Sequence, residues 1–324
     1  MKKVKNIRLS KSIISNQEIN SVKNVLKKGY LGMGDEVKKF EINLSNFFKR
    51  KVSCVSSGTA ALHLSLLALG VKKNDEVLVP SITYLATYQA ITATGATPIS
   101  CDIYEDNILL NIEDAESKIT KKTKVIIPVH YSGDPVNQKK IYQLSKKYNL
   151  RIIEDAAHAF GSKYSNKLIG SFGDIVCFSF DGIKNITTGE GGCVVSNDNK
   201  VINFINKARL LGVNNETKLK LQNKRNNIPT VDVQGWRYHM SNINAAIGIE
   251  QLKRFDTLKS KRQNNAKLYD SILKKSEKIK VYKRNYDHIV PHIYVVKILS
   301  NNNLSQIRKK LLSKKIESGL HYYP

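Results

Sequence analysis

Six short apolar runs rich in β-branched residues constrain this chain more than any other feature. They are EVLVP (76–80), TPISCDI (97–103), KVIIPVH (124–130), RIIEDA (151–156), DIVCFSF (174–180) and GCVVSN (192–197). Each is of strand length and close to continuously apolar, which predicts burial on both faces of a sheet. Between several of them lie helix-length patterns such as SGTAALHLSLLALG (57–70) and NQKKIYQLSKKYN (137–149). That alternation predicts an α/β fold with a largely parallel central sheet flanked by helices. Ligands of such sheets bind beyond the carboxyl ends of the strands. Asp102, His130, Asp155, Ser179 and Lys184 stand at, or just after, those ends. Past about residue 240 the pattern changes to long lysine-rich helices with one weak strand, HIYVVKIL (292–299). A large α/β domain over 1–240 and a smaller domain over 241–324 are expected.

Charge limits the partners. Lys and Arg number 53 against 27 Asp and Glu, a formal net charge of +26. The basic residues are spread along the chain, with modest clustering in KRQNNAKLYDSILKKSEKIKVYKR. They are not interleaved with aromatics, and no helix-turn-helix, zinc-finger or RNA-motif signature is present, so nucleic acid is not expected. A solvated lysine surface explains the charge, and so does a field that attracts a polyanionic small molecule such as a nucleotide diphosphate. No apolar run approaches the ~20 residues of a membrane span. The N-terminus MKKVKNIRLSKSIISNQEI lacks the apolar core of a secretory signal, so a cytoplasmic location is expected. The four cysteines form no CxxC pair; reduced, buried thiols are expected, with neither zinc nor a redox pair.

Three local features carry chemistry. Ser57-Gly58-Thr59 opens a helix, where backbone N–H groups and hydroxyls can hold an anion; a plain Ser/Thr cap is the ordinary alternative. IIEDAAHA sets Asp155 at the end of a buried strand with His158 just beyond. A carboxylate there can keep a ring nitrogen protonated, or merely cap the next helix. FSFDGIKNITTGEGG presents Lys184 past a strand end, before glycines that let the chain turn back. A lysine among apolar neighbours can be partly neutral, as Schiff-base formation requires, although in this composition it also reads as one more surface lysine.

Taken together, SSGTAALHLSLLALGV, DEVLVPSITYLAT, PVHYSGDP, IIEDAAHAFGS, GDIVCFSFDGIKN and TTGEGG resemble the nucleotide-sugar aminotransferases of the DegT/DnrJ/StrS type. The similarity runs from about residue 29 to residue 324. It implies the aspartate-aminotransferase (fold-type I) architecture, pyridoxal 5'-phosphate (PLP) as cofactor in the large domain, and a homodimer. By that resemblance Lys184 carries the cofactor and shuttles the proton, and Asp155 pairs with the pyridine nitrogen. Gly58, Thr59 and Ser179 hold the phosphate, Tyr84 stacks on the ring face, and His158 lies beside the ring oxygen. His321 and Tyr322 contact the substrate.

Two departures stand out. In QGWRYHMSNINAAIG (234–248), Arg237 occupies a position where many members have Asn, and His239 one where they have Arg. Arg237 is expected to reach the partner subunit's cofactor phosphate. The family also continues some tens of residues past GLHYYP (319–324), so the small domain is expected to be incomplete relative to it.

The resemblance implies transfer of an amino group from glutamate to a keto group on a nucleotide-linked, 6-deoxy sugar, at C4 in preference to C3. Two alternatives share the scaffold. A PLP- or PMP-dependent sugar dehydratase is disfavoured because Lys184 stands where such enzymes have histidine. A non-catalytic binding protein is opposed by the intact Asp155/Lys184 pair.

Overall fold

A seven-stranded sheet organises the chain, for which this computed structural model describes residues 6–213, 230–299 and 303–322. Helices α1 (Asn16–Lys28) and α2 (Asp35–Phe48) precede it. Ser15 and Glu18 form a capping box that starts α1, and left-handed Gly29 ends it. There follow β1 (Val52–Val55), α3 (Gly58–Ala68), β2 (Glu76–Pro80), α4 (Leu85–Thr92) and β3 (Thr97–Cys101). Next come α5 (Ile112–Ser117), β4 (Thr123–Ile126), α6 (Gln138–Tyr148) and β5 (Arg151–Asp155). A two-residue hairpin, β6 (Lys163–Tyr164) and β7 (Lys167–Leu168), leads to β8 (Ile175–Ser179), β9 (Gly192–Ser196) and α7 (Asn199–Ala208). The rest holds α8 (Asn242–Lys253), α9 (Phe255–Leu273), β10 (Ile279–Val281), β11 (Val296–Ile298) and α10 (Leu304–Ser313).

Strand order is β1-β9-β8-β5-β4-β2-β3. The five strands from β8 to β3 are parallel, while β9 runs antiparallel to both β8 and β1. Both faces are covered. One carries an aromatic core of Phe40, Phe48, Phe160, Phe178, Phe180 and Phe255; the other packs α3 and α7 against Val77, Val125, Ile153 and Cys177. Helix α3 is apolar all round because it is buried all round, from Ala60 to Leu66.

All six apolar runs form strands of the sheet. The seventh strand, β1, has only four residues and was not anticipated. HIYVVKIL contracts to β11, which pairs antiparallel with the unanticipated β10. The four cysteines are buried and free. Among the described residues no helix is long and apolar enough to cross a membrane.

Candidate active site

A cavity of about 450 Å³ opens past the carboxyl ends of β5 and β8, where a parallel sheet presents its ligands. Gly58, Thr59 and Ser179 line it, as do Tyr84, Asp155, His158 and Lys184, and also His321 and Tyr322 from near the end of the described chain.

Asp155 is the last residue of β5 and only 6% exposed. Its Oδ1 accepts the Ala157 N–H at 3.1 Å, and its Oδ2 accepts the Thr87 hydroxyl at 2.9 Å. A buried carboxylate without such donors would be costly. Here both oxygens are satisfied and the group stays in place.

Lys184 follows β8 in a turn closed by its own N–H donating to Asp181 O at 3.1 Å. Two long-range clamps hold this turn. Arg262 of α9 donates to the carbonyls of Ile183 and Lys184 at 3.2 and 3.1 Å. Asn185 donates through Nδ2 to Phe160 O and Val290 O, both at 3.1 Å. Burial holds the Lys184 amine below its ordinary pKa, opposed by the charges of Asp155 and Asp181 and reinforced by Arg262. The site thus favours a more readily deprotonated amine beside an acid.

The phosphate-cradle residues meet where α3 begins. Ser57 caps α3 by accepting the Ala60 N–H, while the Gly58 and Thr59 amides belong to the first turn, which a helix leaves without internal acceptors. The helix can start here only because residue 58 lacks a side chain: a Cβ on Gly58 would come 2.8 Å from Ser179 Cβ. Gly192 is needed for the same closeness, since a Cβ there would meet Ser57 O at 2.6 Å.

Histidines and tyrosines form the remaining wall. His158 accepts the Ser132 N–H on Nδ1 at 3.3 Å, which leaves the Nε2 edge as the donor of a neutral ring. Burial, then Lys184 and His321, push its pKa well below the ordinary histidine value. The His292 ring stands 4.4 Å from that of His158, is 8% exposed, and has a buried Nδ1 without a partner among the described residues. Tyr131 donates to His321 O at 2.6 Å, and the Tyr84 and Tyr322 ring centroids are 5.8 Å apart. Tyr84 is 62% exposed, an open aromatic face over the cavity.

Two strand-end residues, His130 and Asp102, do not join this site, and neither does Arg237. His130 is buried against Glu154, Nε2 to Oε2 at 2.8 Å, and its Nδ1 accepts the Val136 N–H, so both nitrogens are used structurally. Asp102 is exposed and accepts the neighbouring Ile103 N–H. Arg237 is exposed and is not among the residues lining this chain's own cavity. Conversely, Thr83, Thr87 and His292 line the cavity and Arg262 buttresses it; the two threonines stand within DEVLVPSITYLAT, but no sequence feature assigns any of the four a role.

The profile of the DegT/DnrJ/EryC1/StrS aminotransferase family matches residues 12–324. GDP-perosamine synthase of Escherichia coli O157:H7 is 40% identical over 299 residues, covering 90% of this chain and 77% of that protein. Among solved structures, the PLP form of the putative sugar aminotransferase Spr1654 from Streptococcus pneumoniae superposes with a TM-score of 0.88 at 30% identity, over 99% of this chain and 86% of that one. Helicobacter pylori PseC, an aminotransferase involved in the biosynthesis of pseudoaminic acid, gives 0.89 at 27% identity, over 99% and 85%.

Proposed function

The chain belongs to the DegT/DnrJ/EryC1/StrS aminotransferase family, fold-type I sugar aminotransferases that depend on PLP, and from that premise we propose that it moves an amino group from glutamate to the keto group of a nucleotide-linked 6-deoxy sugar, at C4 rather than C3. One observation carries this reading. Lys184 and Asp155 arrive from different strand ends in a single cavity, the amine lowered in pKa by burial and the carboxylate fixed on both oxygens.

The residues present fit PLP. The absent side chain of Gly58 leaves room where the first-turn amides of α3, Thr59 and Ser179 would hold a phosphate. Asp155 would hold a proton on the ring nitrogen, and Tyr84 would cover a ring face that is otherwise open. His158, kept neutral, would donate from Nε2 to the ring oxygen. When bound, the cofactor supplies an electron sink and a carrier for nitrogen. Lys184 takes the proton from the amino donor's carbon and returns it to the sugar carbon, a task suited to an amine with lowered pKa. The single Lys184 amine would serve both half-reactions in turn, which predicts ping-pong kinetics. His321 and Tyr322 line the same cavity and would meet the sugar there.

The likeness to a GDP-perosamine synthase supports a nucleotide-diphosphate-linked amino sugar as product. The field of +26 suits a diphosphate. Arginine placement supports the same class. Arg151, the one arginine between Ser57 and Gly192, is spent on Asp174 and Asp198 rather than offered to a substrate carboxylate. Arg237, exposed on its own chain, is placed in this reading at the partner subunit's phosphate site, which requires a homodimer.

The test is an amino-transfer assay with glutamate over a panel of keto sugar nucleotides and keto acids. C4-keto nucleotide sugars should be aminated fastest, and added salt should raise their KM by screening the diphosphate. Equal rates with aromatic or branched keto acids would refute the sugar assignment.

A further inference from the structure

We propose that Thr87, seconded by Thr83, is a positioning residue that fixes the Asp155 carboxylate and so the proton it would hold on the cofactor ring; this rests on the PLP reading above. Thr87 is fully buried in the first turn of α4, with Oγ1 2.9 Å from Asp155 Oδ2. Thr83 Oγ1 lies 2.8 Å from Thr87 Oγ1. A hydroxyl has one proton to give, and an ionised carboxylate can only accept. The Thr87 proton is therefore committed to Asp155, and Thr83 must be the donor to Thr87. The result is a one-way chain, Thr83 to Thr87 to Asp155, in which each hydrogen bond polarises the next within a buried site.

The other carboxylate oxygen is held by the Ala157 N–H at 3.1 Å, from the continuation of Asp155's own strand. Asp155 is thus gripped from two elements, one donor per oxygen, and the plane of the carboxylate is set. That matters because a hydrogen bond weakens steeply once its angle is lost. The clamp is also coupled to the aromatic wall. Thr87 N–H donates to Tyr84 O at 3.0 Å, so the residue facing the ring and the residue aiming the carboxylate belong to one turn. Threonine is needed here for its hydroxyl, because valine has the same shape and fills the same space.

The experiment uses the full chain loaded with PLP and compares Thr87→Val, Thr87→Ser and Thr83→Val. Cofactor affinity, kcat, KM for the sugar nucleotide and the pH midpoint of the visible band are measured, with apoprotein melting as a folding control. Thr87→Val should bind PLP about tenfold more weakly and lose about tenfold in kcat, the size expected when a charged acceptor loses a buried donor. KM should stay within about twofold, because the substrate walls are untouched. The visible band should titrate about one unit higher, since a ring that holds its proton less firmly draws less charge from the lysine-bound end. Thr87→Ser should restore wild-type behaviour, and Thr83→Val should shift the band in the same direction by less.

Equal damage in Thr87→Ser and Thr87→Val would mean that the methyl group matters and not the hydroxyl, which overturns the proposal. So would a Thr87→Val protein indistinguishable from wild type. If Thr87→Val fails to fold, an unshifted band in Thr83→Val is the refuting result. Failure of the PLP reading itself looks different: the wild-type protein would then show no visible band at all.

Discussion

The cavity has two kinds of wall. The floor, built from strand ends, is held at every point: Asp155 by Thr87 and Ala157, the Lys184 turn by Arg262 and Asn185, and the start of α3 by its contact with Ser179. The rim, at His321 and Tyr322, has fewer ties. His321 is tied through one backbone oxygen to Tyr131, and Tyr322 meets its neighbours through ring contacts, whereas His292 beside them is anchored through its carbonyl by Arg262 at 3.1 Å. The floor is organised for a resident group and the rim for a passing one.

The sharpest way to break this contrast is at the floor. Lys184→Ala should lose at least about 10²–10⁴-fold in turnover through proton transfer alone. Borohydride reduction of the wild-type protein with PLP should place a stable adduct on Lys184 in a peptide map; an adduct on another lysine would contradict the assignment. Asp155→Asn should keep some cofactor and lose on the order of 10²-fold in kcat, because an amide cannot stabilise the charged ring nitrogen. Near-normal turnover would make Asp155 structural.

Gly58→Ala probes the floor by volume. The added methyl lies 2.8 Å from Ser179 Cβ and 3.4 Å from its Cα, so α3 or β8 must shift. Overpacking of this kind costs about 1–3 kcal/mol. Denaturant unfolding of the apoprotein should show that loss, and Ser179→Gly in the same chain should recover most of it. An unrescued double variant would place the strain elsewhere.

How far the sequence spoke follows the same division. Six strands were legible because burial on both faces makes a strand continuously apolar, and the floor residues Asp155, Ser179 and Lys184 sit at their ends or on the turns beside them; Gly58 was legible instead from the helix it opens. β1 was not legible: four residues carry little pattern, and its edge is satisfied from afar, by Glu41 on the Cys54 N–H and Arg209 on the Cys54 carbonyl. Position at a strand end also proved insufficient by itself. His130 shares that position yet turns to Glu154, while Val129 lines the cavity. Thr87 and Arg262 escaped notice because their partners are 68 and 78 residues away, and a lone threonine or arginine in a helix carries no local sign of a long-range bond.

Where floor meets rim, His158 and His292 face each other and both are held well below the ordinary histidine pKa. Burial is the main cause, with Lys184 and His321 acting on both and Arg262 on His292. Above about pH 6.5 the two rings are neutral in folded and unfolded chains alike. Below it the unfolded chain takes up protons that the folded chain refuses, so stability should fall as pH falls. The slope approaches about 1.4 kcal/mol per pH unit for each histidine. Unfolding of the apoprotein between pH 7 and 5 measures it. His292→Gln should flatten the dependence by about one proton; an unchanged slope would mean that His292 is protonated in the folded chain.

The smallest effect is expected at the rim itself, and it separates the two walls most cleanly. Tyr131 is fully buried, its phenol pushed up to about 12 by burial, so it acts only as a neutral donor to His321 O at 2.6 Å. Tyr131→Phe keeps the ring, and with it the contacts to His158 and Tyr322 at centroid distances of 5.9 and 6.1 Å. Only the hydroxyl is lost, worth about 1 kcal/mol or roughly fivefold. If the rim serves the substrate and the floor the cofactor, that factor should appear in KM for the sugar nucleotide. PLP affinity and the spectrum of the bound cofactor should not move, because no floor residue bonds to the Tyr131 hydroxyl. A loss of PLP affinity with unchanged KM would reverse the assignment of the two walls. Equal losses in both would show that rim and floor are one unit, tied through the tyrosine ring to His158.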